Sequence, residues 1–191
     1  MSDVVAVDPR ARERFPLGVW GIAMLIATEA ALFAMMVGSY FYLRFKNAQW
    51  PPAGTPEPKV VVPLVLLGVL MLTAFPMWKA ASSATPRRWL LLALVVQSGY
   101  FAMEVSDFRD DLRHFTPQQH AYGSIYYTLL GADHGHVAVG LLLDAWLLWK
   151  LLFGMTEFRR KAVRAIALYW YAVIVLTIVV TLTVTSPAFA R

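Results

Sequence analysis

The chain has 191 residues, 59% of them hydrophobic, with a mean hydropathy of +0.56 and a formal net charge of +5. That apolar content exceeds the usual share in soluble domains and arrives in long runs, so a single integral membrane domain over 1–191 is expected. Cysteine is absent, which excludes disulfides, thiolate catalysis, iron–sulfur clusters and thiolate metal sites; the basic residues sit in short segments between apolar runs and report topology, not nucleic-acid binding.

In chain order, residues 1–16 are polar and precede an apolar run too long for a signal peptide and with no small-residue cleavage site after it, so the first helix is expected to be retained. Five spans follow, at about 17–43, 60–78, 89–106, 123–150 and 165–186. The fold class is therefore all-α, a polytopic transmembrane bundle of five helices. Between the spans lie a Trp-Pro-Pro loop (44–59), a basic turn (79–88), a charged loop (107–122) and a basic loop (151–164). Orientation follows from lysine and arginine. Arg10, Arg12, Arg14, Lys79, Arg87, Arg88, Lys150, Arg159, Arg160, Lys161 and Arg164 fall on one side. Arg44, Lys46, Lys59, Arg109, Arg113 and Arg191 fall on the other, with Glu57, Asp107, Asp110 and Asp111. The N-terminus is expected in the cytoplasm. No repeat divides the chain into halves, as a small inverted-repeat transporter would require.

Ionisable residues inside the spans carry the functional argument. In the first span, GVWGIAMLIATEAALFAMMVGSYFYL, the one acid is Glu29. Unpaired and ionised in mid-bilayer it would cost roughly 2.5–3.5 kcal/mol, so it is expected to be protonated, partnered or hydrated. Small residues recur at four-residue spacing (Ala23, Ala27, Ala31; Ala30, Ala34, Gly38) and form the expected helix-packing seam. Glu29, flanked by Leu25, Ile26, Leu32 and Phe33, lies beside that seam. In the third span Gln97, Tyr100 and Glu104 share a face. In the fifth, Thr177, Thr181 and Thr185 repeat at i+4 and suit helix contacts. The fourth span is richest: Asp133, His136, Gly140 and Asp144 form one stripe, Tyr126 extends it outward, and His134 sits about 100° away. Glu29, Glu104, Asp133 and Asp144 are the intramembrane carboxylates; Tyr126, His134, His136 and Lys150 complete a polar stripe suited to helix packing, lipid headgroups or water. No catalytic residue and no metal site is assigned, because four histidines, two of them in the 107–122 loop, offer no three or four convergent ligands.

Four stretches together resemble a known family. They are Trp20 to Tyr42 followed by Trp50-Pro51-Pro52; Gln97 to Glu104; Tyr122-Gly123-Ser124-Ile125-Tyr126-Tyr127 through Gly131 with His136-Val137 and Gly140; and Tyr169-Trp170 opening the last helix. Their order and spacing over residues 17–186 are similar to subunit III of haem–copper terminal oxidases, whose short form has five helices. The resemblance implies an accessory subunit without a redox centre of its own, within a cytochrome c oxidase-type complex of a bacterial inner membrane. Haem and copper would belong to partner subunits. This chain would pack on subunit I, near subunit II, hold phospholipid in a cleft and support proton uptake and durable turnover. Glu29 matches the family's intramembrane carboxylate, His136 the second histidine of its His-Gly-x-His-Val motif, and Lys150 an arginine that meets lipid phosphate. This chain departs from the pattern at Asp133, which replaces the first histidine, at His134, shifted by one, and at Tyr171-Ala172-Val173-Ile174, where the family has His-Phe-Val-Asp. A quinol oxidase or nitric oxide reductase subunit is the alternative within the family. A proton-coupled transporter using Glu29, Asp133 and His136 is the alternative outside it.

Overall fold

The computed structural model describes residues 17–189. Arg10, Arg12, Arg14 and Arg191, which entered the charge argument, lie outside the described residues. The elements are α1 (Leu17–Lys46), α2 (Val61–Leu72), α3 (Ala74–Ser82), α4 (Pro86–His114), α5 (Ala121–Leu151) and α6 (Glu157–Thr185), followed by a 3₁₀ turn (Ser186–Phe189). The described chain is a helical bundle, and four segments are long and apolar enough to cross a membrane: Trp20–Lys46, Val61–Ser82, Pro86–His114 and Glu157–Phe189. α5 has the length, 31 residues, but its two acids and two histidines lower its apolarity. It lies among the others, packed on α1, α4 and α6.

Three elements differ from the sequence expectation; the first is the basic 151–164 loop, which shrinks to a turn because α6 begins at Glu157, where Thr156 Oγ1 caps it by accepting from Arg159 N–H. The 60–78 span breaks at Thr73 and then runs on to Ser82. Pro76 has no N–H to give the Leu72 carbonyl and crowds it, so the chain tightens there. Thr73 N–H and Oγ1 both turn back to the Leu70 carbonyl, at 3.0 and 2.6 Å. The charged stretch after residue 106 is not a loop: α4 continues to His114. Asp107, Asp110 and Asp111 fall on one helical face there, and Lys59 Nζ reaches all three, at 2.6, 3.1 and 3.0 Å. Burial alone would pull the Lys59 ammonium down. The three carboxylates outweigh it and hold it above the usual lysine range.

The core falls into two apolar clusters. One, toward the α3–α4 turn, gathers Leu70, Met77, Leu90, Ile166 and Trp170; the other gathers Phe33, Tyr40, Phe115, Tyr122, Tyr127 and Val184. In the second, Trp50 from the Trp-Pro-Pro loop wedges edge-on between Tyr40 and Tyr122, with ring centroids 5.5 and 5.1 Å apart. The bundle closes tightly where α5 passes α6. A Cβ on Gly140 would stand 2.7 Å from the Trp170 ring, so glycine sets that approach.

The first helix packs on α5 and α6 through Ile22, Ile26, Glu29, Phe33, Met36, Val37 and Tyr40. This corrects the expected seam. The small residues Ala23, Ala27, Ala30, Ala31, Ala34 and Gly38 face outward and are exposed, and Glu29 sits on the packed face. The groove between α5 and α6 is wide enough for Phe33 and Tyr40, both fully buried, and the acid turns inward because its partner is there.

Two outcomes test this packing. Gly140→Val should destabilise the bundle by about 1–3 kcal/mol, the usual penalty of overpacking, as measured by thermal unfolding in detergent. The Lys59 contribution has a definite pH sign: its raised pKa means the stabilisation is fully present below the ordinary lysine value and is lost only as pH rises through the elevated one. The melting difference between the parent and Lys59→Met should therefore hold constant from neutral to mildly alkaline pH and shrink only in strong alkali.

Candidate functional site

A polar layer lies between the two apolar clusters, and α5 is its hub. The sequence Asp133-His134-Gly135-His136 sends three side chains in three directions, because successive helical positions are turned by about 100°. Asp133 points to α6, where Thr177 Oγ1 donates to its Oδ1 at 2.8 Å. His136 points to α1, its Nε2 3.0 Å from Glu29 Oε2. His134 points to α4, its Nε2 3.6 Å from Glu104 Oε2.

Both imidazoles are held the same way. His136 Nδ1 lies 2.7 Å from the Ala132 carbonyl, and His134 Nδ1 meets the Leu130 carbonyl one turn back. A carbonyl oxygen only accepts, so the network assigns the Nδ1 hydrogen and leaves Nε2 for the acid. The Glu29–His136 contact thus holds one proton, carried either by the carboxyl or by Nε2. The Phe33 ring stands edge-on to His136, centroids 5.3 Å apart, and Tyr169 donates to the His136 carbonyl at 2.8 Å. Both members of the pair remain partly exposed at the flank of the bundle.

Between two and three turns further along α5, Asp144 is fully buried. Trp170 Nε1 donates to its Oδ2 at 2.9 Å. The Gln97 amide lies 2.9 Å from the same oxygen and 3.3 Å from Thr73 Oγ1; the orientation that satisfies the carboxylate turns the nitrogen toward Asp144. This chain of contacts ties the α2–α3 break to α4, α5 and α6. The Gly140 approach brings the indole within reach.

The predicted residues therefore divide. Glu29 with His136, Glu104 with His134, and Asp133 at their junction come together. Asp144 forms a separate structural knot about two and a half turns along α5. Tyr126 belongs to the Lys59 end, where its hydroxyl donates to Asp111 Oδ2 at 2.6 Å. Lys150 stands apart, roughly 21 Å along the helix from His136, with its ammonium 4.6 Å over the Trp149 ring. The sequence suggested helix contacts for Thr177 without naming Asp133, gave Trp170 no polar role, and placed Lys59 correctly in a loop without its three carboxylate partners. Thr177 carried a signal in its i+4 repeat, whereas the partner of Trp170 depends on a crossing that only the fold supplies. Among the described residues, no three His, Asp or Glu side chains converge as a metal site.

A helical membrane bundle with acid–histidine pairs on both flanks of one central helix is the class of protein that this geometry defines. Compared with known proteins, the chain is 27% identical over 165 residues to cytochrome c oxidase subunit 3 of Bacillus subtilis, covering 81% of this chain and 77% of that one. It is 27% identical over 171 residues to the protein of the same name from Synechocystis sp., covering 85% and 72%. It is 26% identical over 164 residues to cytochrome bo(3) ubiquinol oxidase subunit 3 of Pseudomonas aeruginosa, covering 80% and 77%. No family model matches the chain. The chain is thus similar over most of its length to subunit 3 of cytochrome c and bo(3) ubiquinol oxidases, and it departs from the resemblance stated above at Asp133 and His134, the two positions that split the polar layer between α6 and α4.

Two pairs of variants probe the layer. Trp170→Phe should cost about 1–3 kcal/mol by stripping a donor from a buried carboxylate, and the double change with Asp144→Leu should recover part of that loss in a double-mutant cycle. Glu29→Gln keeps a polar partner for His136 Nε2 and should leave the melting temperature near that of the parent. Glu29→Lys should lower stability by about 2.5–3.5 kcal/mol, the scale for an uncompensated charge inside a bilayer; equal losses for Gln and Lys would mean that an ionised carboxylate is required.

Proposed function

We propose that this chain is an accessory, non-redox subunit of a haem–copper terminal oxidase in a bacterial inner membrane, with its N-terminus in the cytoplasm. Similarity to oxidase subunits over about four-fifths of the chain carries the reading. It extends to both cytochrome c and ubiquinol oxidase subunits, so the electron donor belongs to the partner and not to this chain. Haem and copper reside in those partner subunits.

The geometry supports a docking and stabilising role. α1 leaves its small-residue face open, and nothing lies within 4 Å of a Cβ placed on Gly21 or Gly38. Such a face admits a close neighbouring helix, and subunit I of the complex is the proposed neighbour. The Glu29–His136 pair is partly exposed at the edge of the packed face of α1, where phospholipid filling the space beside the helix would meet a polar contact at mid-depth. Lys150, at the basic end, would meet a lipid phosphate. In this reading the chain supports proton delivery and durable turnover by holding partner and lipid in register.

The test is purification through a tag on this chain in mild detergent. A haem-containing oxidase should accompany it, and oxygen turnover by the complex lacking this chain should begin near the parent rate and decay faster. Recovery of the chain without any haem protein would overturn the assignment, and identical decay with and without it would remove the stabilising role.

A further inference from the structure

The Glu104–His134 contact differs from Glu29–His136 in what surrounds it. It sits at the inner end of a cavity of about 30 Å³, lined also by Asp133, Tyr100 and Thr181. A space of that size takes roughly one or two water molecules when polar groups line it. The cavity shares Pro58, Lys59, Asp111 and Tyr126 with a wider space of about 130 Å³ that reaches Glu57 and His114 at the Lys59 end of the bundle. The two cavities adjoin in series from the end of the bundle to the depth of the α5 hub, with the Lys59–Asp111–Tyr126 contacts standing between them, and this series is the shaft.

Two details give the inner end a chemistry. His134 Nε2 is buried and has no hydrogen-bond partner within the protein, while its Nδ1 is committed to the Leu130 carbonyl. Glu104 Oε2, at 3.6 Å, is too far for a direct hydrogen bond, yet a water beside them can bond to both.

We propose that Glu104 and His134 form a water-linked proton-binding site in contact with the aqueous phase at the Lys59 end, distinct from the Glu29–His136 pair on the other flank of α5. The ligand is a proton delivered by hydronium. On loading, an O–H bond of hydronium breaks, an O–H bond forms at the Glu104 carboxyl, and the water that remains in the shaft links it to His134 Nε2; release is the reverse. α4 presents Tyr100, Asp107 and Asp111, α5 presents Asp133 and Tyr126, and the loop before α2 presents Lys59; α2 and α6 contribute Pro63, Thr181 and Val184, none ionisable. Asp133 is held by Thr177, and Asp107 and Asp111 by Lys59 and Tyr126. Around Lys59, three carboxylates face one ammonium, with Arg113 3.9 Å from Asp110. That balance leaves the mouth electronegative and draws protons toward it. The inference stands on this shaft alone and does not depend on the oxidase assignment.

Infrared difference spectra of the full chain in proteoliposomes test it. Between alkaline and mildly acidic buffer, the parent should gain a carboxylic-acid C=O band that Glu104→Gln removes and Glu29→Gln leaves in place. In D₂O that band should shift within seconds, and Leu130→Phe, which fills the shaft, should slow the shift to the minutes-to-hours range of an acid freed only by local opening. His134→Asn, which keeps the acid, should move the band. A band that persists in Glu104→Gln, one that exchanges only over minutes to hours in the parent, or one untouched by Leu130→Phe or by His134→Asn would overturn the proposal.

Discussion

A polar side chain within a bilayer must find its partner in the protein, because lipid offers none. In this bundle that constraint converges on α5. His136 commits it to α1, His134 to α4, Asp133 to α6, and Asp144 to α6 and α4 together. Each contact has a direction as well as an energy, so the polar residues fix the order of the helices around the hub. Apolar packing alone would tolerate other orders, since lipid tails and leucine side chains are equally good neighbours.

The apolar clusters set distances, and the polar layer uses them. The Gly140–Trp170 contact lets α5 and α6 approach until the indole N–H reaches Asp144. Phe33 and Tyr40 seat α1 deeply enough for Glu29 to reach His136. Van der Waals fit and hydrogen bonding therefore depend on each other here: a change that widens either crossing would strand a carboxyl group.

The helical bundle and the face carrying Gln97, Tyr100 and Glu104 were legible from hydropathy and a 3.6-residue period, which depend only on local sequence. What escaped was long-range. Asp107, Asp110 and Asp111 read as a loop because their charge looks solvated until Lys59, some 50 positions earlier, is folded against them. The alanine seam of α1 read as a buried face because small residues permit close packing; in the monomer, large residues fill a wide groove and the small ones stay outside. That Glu29 needed a partner was clear from its depth, but choosing His136 over His134 required knowing which side of α5 each imidazole faces.

The spokes of α5 also bear on how the chain enters the membrane. Four of the spans have the apolar length to partition into lipid on their own, whereas α5 would carry Asp133 and Asp144 there without donors. Two of their donors, Thr177 and Trp170, are on α6, which begins after the short turn from Leu152 to Thr156, and a third, the Gln97 amide that reaches Asp144, is on α4. Asp133 therefore gains its donor only when α6 lies beside α5, so these two helices reach their lowest free energy in the bilayer as a pair.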